Sequence, residues 1–216
     1  MATGRKNIAP RALQARAVET REAILKAATL VFAKHGFSGG RVEQISRLAE
    51  THDRMIYYYF GSKEKLFIEV LETTYQRLNE AEAALEIDLS DPLQALCTVV
   101  RFNWRYFLEH PEFITLLNSE NLHQGRHVKK STKVAQLSSP AVNVLAKILK
   151  AGTRQGLFRK DVSARELYLT IAALGYFYLS NRHTLSAFLN TELLKKSAIA
   201  RWRESMVDTV TRKVML

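Results

Sequence analysis

One spacing dominates this sequence. Ile24, Ala28, Val31 and Phe32 recur at i, i+4, i+7 and i+8, the stripe of an amphipathic helix. The same period returns near the end, in Ile199, Trp202, Met206 and Val210. Helix breakers are sparse, with 9 Gly and 4 Pro in 216 residues, and most of them stand where a helix should start or stop. Gly36 suits the position just past a helix end. Asp91-Pro92 and Ser139-Pro140 each set a capping side chain before a proline at the first helical position. Ser163 with Glu166 has the form of a capping box. Pro111 should end or kink the helix that carries Trp104 and Phe107, and Gly152 and Gly156 should close the helix begun at Pro140. Together these signals predict an all-α fold.

The N-terminal third divides finely. Residues 1–18 carry Arg5, Lys6, Arg11 and Arg16 and no acid, the composition of a basic mobile arm. Its basic residues are either a solvated tail or an arm that enters a DNA minor groove. Helices are expected over about Thr20 to His35, Arg41 to Ala49 and Asp53 to Phe60. A fourth should start at Lys63, capped by Ser62, and run to about Leu85. Residues 19–67 thus read as a compact three-helix domain, and residues 68–216 as a larger helical one.

The stretch from Asp53 to Phe67, DRMIYYYFGSKEKLF, raises the functional question. At about 100° per residue, Ile56, Phe60 and Tyr59 share one side of a short helix. Arg54 and Tyr58 lie opposite, with Tyr57 and Asp53 between. Tyr59 is best read as core, while Arg54 and Tyr58 are pushed outward. A helix and a short turn precede this helix, and Lys63 follows at the next helix start. That is the layout of a helix-turn-helix that enters a major groove. Tyrosine hydroxyls and Lys63 would take phosphates, and Arg54 could pair with guanine O6 and N7. Asp53 could accept from cytosine N4 or merely orient Arg54.

In their order and spacing, REAILKAATLVFAKHGF, VEQISRLAE and MIYYYFGSKEKL resemble the N-terminal domain of the tetracycline-repressor (TetR) family of bacterial transcription regulators. The resemblance covers about residues 20 to 67 without gaps. It implies a homodimeric repressor whose larger domain binds a small effector and whose last two long helices form the dimer. It also implies a recognition helix over about His52 to Phe60. Tyr57, Tyr58 and Tyr59 would contact DNA backbone or bases, and Lys63 a phosphate. The chain departs from the pattern at three points. Glu50 stands where glycine is usual in the turn. Gly40 and Met55 stand where a phosphate contact is often made and cannot make one, and Arg41 could substitute. His52, Asp53, Arg54 and Met55 form an unusual reading set, so the operator, expected to be palindromic double-stranded DNA, cannot be borrowed.

Composition agrees with this reading. A net charge of +11 favours anionic partners, whether nucleic acid, an acidic membrane or acidic proteins. Cys97 stands alone, which excludes an intramolecular disulfide and suits a reducing cytosol. The N-terminus lacks an apolar signal core, and Leu167 to Leu179, the longest apolar stretch, is shorter than the roughly 18 residues of a membrane span. That stretch reads as a helix buried on most sides, and the protein as cytoplasmic. No catalytic constellation or cofactor motif stands out, so an enzyme is not expected.

The polar-rich stretch EFITLLNSENLHQGRH places Glu120, His123 and His127 at i, i+3 and i+7 if helical. They could hold a divalent metal, or form a surface patch. An organic effector is the stronger expectation, walled by Trp104, Phe107 and Phe113, with Asn118, Asn121, His123 and Tyr176 as polar groups. The alternative reading of the whole is a helical metal- or ligand-binding protein with incidental or nonspecific DNA binding. A helical enzyme using Glu120 and His123 is a weaker one.

Overall fold

A computed structural model describes residues 10–136 and 140–216. These form eleven α-helices and one 3-10 turn, with no β-strand among the described residues. The helices are α1 (Pro10–Gly39), α2 (Val42–Leu48), α3 (Asp53–Phe60), α4 (Lys63–Ala83), α5 (Pro92–Glu109) and α6 (Pro111–Leu122), then α7 (Thr132–Gln136), α8 (Pro140–Arg154), α9 (Ala164–Ser180), α10 (Arg182–Phe188) and α11 (Lys196–Val214). The 3-10 turn spans Val128–Lys130. The chain divides into two compact units. One holds the chain up to Thr73 together with Ser119–Ser131, and the other holds Thr74–Asn118 with Thr132–Leu216.

In the first unit, α1 starts at Pro10, well before the expected Thr20, so it takes in half of the segment expected as an arm. Arg5 and Lys6 lie outside the described residues, as does the Arg11 side chain. Gly36 interrupts the helical backbone with φ 67°, in the left-handed region where only glycine sits freely. The core closes on Ile24, Phe32, Ile45, Ile56, Leu66 and Phe67, all fully buried. Phe32 meets Phe67 edge to face, with ring centroids 5.0 Å apart. Gly40 is glycine for a steric reason: a Cβ there would lie 2.6 Å from the Phe32 ring.

The Ser119–Ser131 segment is tied into this unit by polar groups. Glu120 Oε1 accepts from the backbone N–H groups of His127 at 2.7 Å and Val128 at 2.9 Å, and Glu120 Oε2 shares a hydrogen bond with His127 Nδ1 at 2.7 Å. The His127 ring packs 4.4 Å from Phe37 and 4.9 Å from Phe67. Lys130 pairs with Glu64 at 2.6 Å, and Ser131 donates to Glu72 at 2.7 Å. Phe37 N–H donates to Ser119 Oγ at 3.4 Å.

In the second unit α5 is central and packs against α8, α9 and α11. Its start uses the expected cap: Gln94 N–H donates to Asp91 Oδ1 at 3.0 Å, and Pro92 opens the helix. Ser139 lies outside the described residues, so its expected cap cannot be placed. Ser163 caps α9, accepting from Glu166 N–H. Gly152 does not end α8 as expected. It is buried inside the helix because Phe158 folds onto it, and a Cβ there would lie 2.0 Å from that ring. Gly156, at φ 72°, makes the turn instead. Arg159 N–H donates to Val214 O at 2.8 Å, which pins the end of α11.

Candidate DNA-binding interface and effector cleft

The recognition element is built by opposition. Ile56 (0% exposed) and Phe60 (5%) anchor α3 in the core, and this orients the other face outward. Tyr58 is 77% exposed and Tyr57 51%. His52, Arg54 and Arg41 are exposed as well. Tyr59 is half-buried, its ring 5.0 Å from Tyr58 and 6.5 Å from Phe60. His52 is the residue just before α3, which begins at Asp53.

The remaining members are less free than the sequence suggests. Ser46 Oγ donates to Asp53 Oδ1, so Asp53 ties α2 to the start of α3. This fits the orienting role better than base readout. Arg41 N–H donates to Gln44 Oε1 at 3.1 Å at the start of α2, leaving its guanidinium outside. Lys63 is half-buried, with Nζ 4.8 Å from the centre of the Phe37 ring. Burial pulls its pKa down, and the nearby Glu43 partly offsets this. Glu50 adopts φ 51°, so the turn does demand the left-handed backbone for which glycine is usual.

The metal reading loses its geometry. α6 ends at Leu122 and the chain turns through Gln124 (φ 58°) and Gly125 (φ 69°), so Glu120, His123 and His127 do not share one helix. Glu120 and His127 bond directly to each other. His123 turns to Ser119 O at 2.7 Å. No group of three His, Cys, Asp or Glu suited to a metal is found among the described residues.

The expected effector wall divides. Phe107 and Phe113 stack at 5.6 Å and 16°, and with Tyr75, Tyr168 and Tyr176 they line a cleft of about 460 Å³. Tyr176 donates its hydroxyl to Asn118 Oδ1. Trp104, 1% exposed, packs edge to face on Tyr178 at 5.4 Å and belongs to a different cleft. Asn121 and His123 belong to the first unit and are not among the residues that line the Phe107–Phe113 cleft. Tyr75 and Tyr168 were missed. Their only sequence signal is their place on helices that reach the same unit.

Two further features were not anticipated. The α9 helix is not buried on most sides: Leu169 is 59% exposed and Phe177 57%. The short helix α10 and the turn after it add Phe188 at 85% and Leu189 at 53%.

Family comparisons agree with this arrangement. Residues 24–70 match the model described as bacterial regulatory proteins, tetR family, and residues 92–210 the tetracyclin repressor-like C-terminal domain. The chain is 57% identical over 193 residues to the HTH-type transcriptional repressor NicS of Pseudomonas putida, covering 89% of this chain and 91% of that protein. It is 34% identical over 110 residues to the regulator RutR of Escherichia coli, about half of each chain. Among solved structures, the putative transcriptional regulator SCO4942 of Streptomyces coelicolor has a TM-score of 0.66 at 22% identity. That match covers 90% of this chain and 98% of the other, and shows a shared fold. The chain belongs to the TetR family. It is a DNA-binding transcriptional regulator, with its helix-turn-helix in the N-terminal unit and a helical C-terminal domain.

Proposed function

We propose that the protein is a homodimeric cytoplasmic repressor that leaves a palindromic operator when a small organic effector binds its C-terminal domain. The observation that carries the DNA half is the two-sided α3: Ile56 and Phe60 buried, Arg54, Tyr57 and Tyr58 facing solvent. Arg54 reads a base edge, and Tyr57, Tyr58, Lys63 and Arg41 take phosphates, with His52 at the helix entrance. Asp53 fixes the helix start and Tyr59 props the Tyr58 ring.

One short helix reads too few base pairs for a useful site, so two copies should present their α3 helices about 34 Å apart. Exposed Phe177 on α9, with Phe188 at the end of α10 and Leu189 just after it, supports a dimer face there. The Phe107–Phe113 cleft supports an organic effector, largely apolar and aromatic, oriented by tyrosine hydroxyls. Helix α4 starts at Lys63 in the DNA-binding unit and carries Tyr75 in the cleft-bearing unit, so it is the lever. The effector changes operator affinity only by its preference for one of the two head spacings.

Sedimentation velocity of the wild type and of Phe177→Arg tests the assembly. A dimer that becomes monomeric in the variant, with operator binding lost alongside, is expected. A variant that stays dimeric would remove α9 from the interface, and a monomeric wild type would sink the dimeric repressor.

A further inference from the structure

A second cleft lies in the C-terminal domain, between α5 and α11, with a volume of about 430 Å³. Its chemistry is unlike that of the Phe107–Phe113 cleft. Arg101 and Arg105 face it from α5 and Arg203 from α11, and its lining contains no carboxylate. Arg101 and Arg105 are one helical turn apart, so like charges are held together on one face. Neither makes a hydrogen bond or ion pair among the described residues. Arg203 is partly neutralised by Glu204, whose carboxylate accepts from its Nε at 2.8 Å. Trp104 also lines the cleft, and its Nε1 is buried with no acceptor among the described residues. The Thr98 hydroxyl already donates to Gln94 O at 3.0 Å.

The cleft therefore offers guanidinium donors and a surplus of positive charge. Its other walls are apolar: Leu85, Phe102, Leu108 and Ile199. A guanidinium fork matches a planar carboxylate, and apolar walls match a hydrocarbon body. We propose that this cleft binds an organic carboxylate with an aromatic or branched body, at a site separate from the effector cleft. The i, i+4 arginine pair is then balanced by the ligand's charge. The inference does not depend on the repressor reading, because it concerns binding alone.

Isothermal titration calorimetry tests it with acetate, benzoate and 2-naphthoate, and with neutral 2-naphthamide as the control, at fixed ionic strength. The expected result is saturable binding that tightens from acetate to a larger acid. The amide should bind at least about tenfold more weakly, as loss of a charge-assisted contact implies. Arg101→Gln/Arg105→Gln should weaken the acid by about tenfold or more, and Lys150→Gln, an exposed cation on α8 outside the cleft, should not. Circular dichroism checks the fold of each variant. If the double variant unfolds, Arg203→Gln, on an exposed position, replaces it and should also weaken binding. Equal affinity for acid and amide would overturn the proposal. So would unchanged affinity in the arginine variants, or no saturable binding by any acid in the series. Displacement by equimolar chloride would mean an adventitious ion only, and would overturn it as well.

Discussion

Replacing His127 with alanine should cost the DNA-binding unit more than any surface change in it. His127 is 1% exposed and Glu120 5%. The substitution opens a ring-sized void against Phe37 and Phe67, whose centroids lie 4.4 and 4.9 Å from the imidazole. It also strips one partner from a buried carboxyl group and leaves that oxygen unsatisfied. Loss of one member of such a pair costs about 3–5 kcal/mol. Glu120→Gln is the milder companion. Its amide oxygen can still accept from His127 N–H and Val128 N–H, now at 2.7 and 2.9 Å, so about 1–2 kcal/mol is expected. At about 2–4 °C per kcal/mol for a chain of this size, the alanine variant should melt roughly 6–20 °C lower. Scanning calorimetry reads this, and hydrogen exchange along α1 assigns the loss to the correct unit. An alanine variant within about 2 °C of wild type would refute the claim that Ser119–Ser131 is structural cement for the DNA-binding unit. So would a glutamine variant worse than the alanine one.

Other outcomes follow from single contacts. Tyr58→Ala should weaken binding to every duplex alike, while Arg54→Ala should also relax base preference at one position, each by about 1–3 kcal/mol in anisotropy titrations across base variants. Gly152→Ala should destabilise the C-terminal domain by about 1–3 kcal/mol or more in urea melts, since its Cβ would fall 2.0 Å from the Phe158 ring. Cys97 is buried and its pKa is raised, chiefly by burial, so it should resist a thiol reagent at pH 8 until the chain unfolds. A fragment ending at Thr73 lacks the Glu120–His127 contacts and should show less protected amides in α1 than the full chain.

Local signals in the sequence were legible wherever a helix carries its own stripe and cap. Helix α3 spans the expected Asp53 to Phe60, and α5 opens on Asp91-Pro92. Length was misjudged at α1, where the polar first turns have little apolar stripe to announce them. Gly152 was misread because a glycine signals both a helix end and a close approach, and only the distant Phe158 decides between them. The separation of Trp104 from Phe107 turns on about 60° of helix surface, enough to send neighbouring side chains into different clefts. The return of Ser119–Ser131 to the DNA-binding unit left no periodic trace. It depends on pairings such as Lys130 with Glu64, 66 positions apart, which no local pattern encodes.

The central claim is that an outward α3, presented twice, reads a specific DNA site. Selection of random duplex DNA by the purified protein at physiological salt, followed by sequencing, tests it most directly. An enriched inverted repeat with half-sites about one helical turn apart is expected, with the preference at one position of each half-site relaxed in Arg54→Ala. Binding that enriches no sequence and fades steeply as salt rises would contradict it.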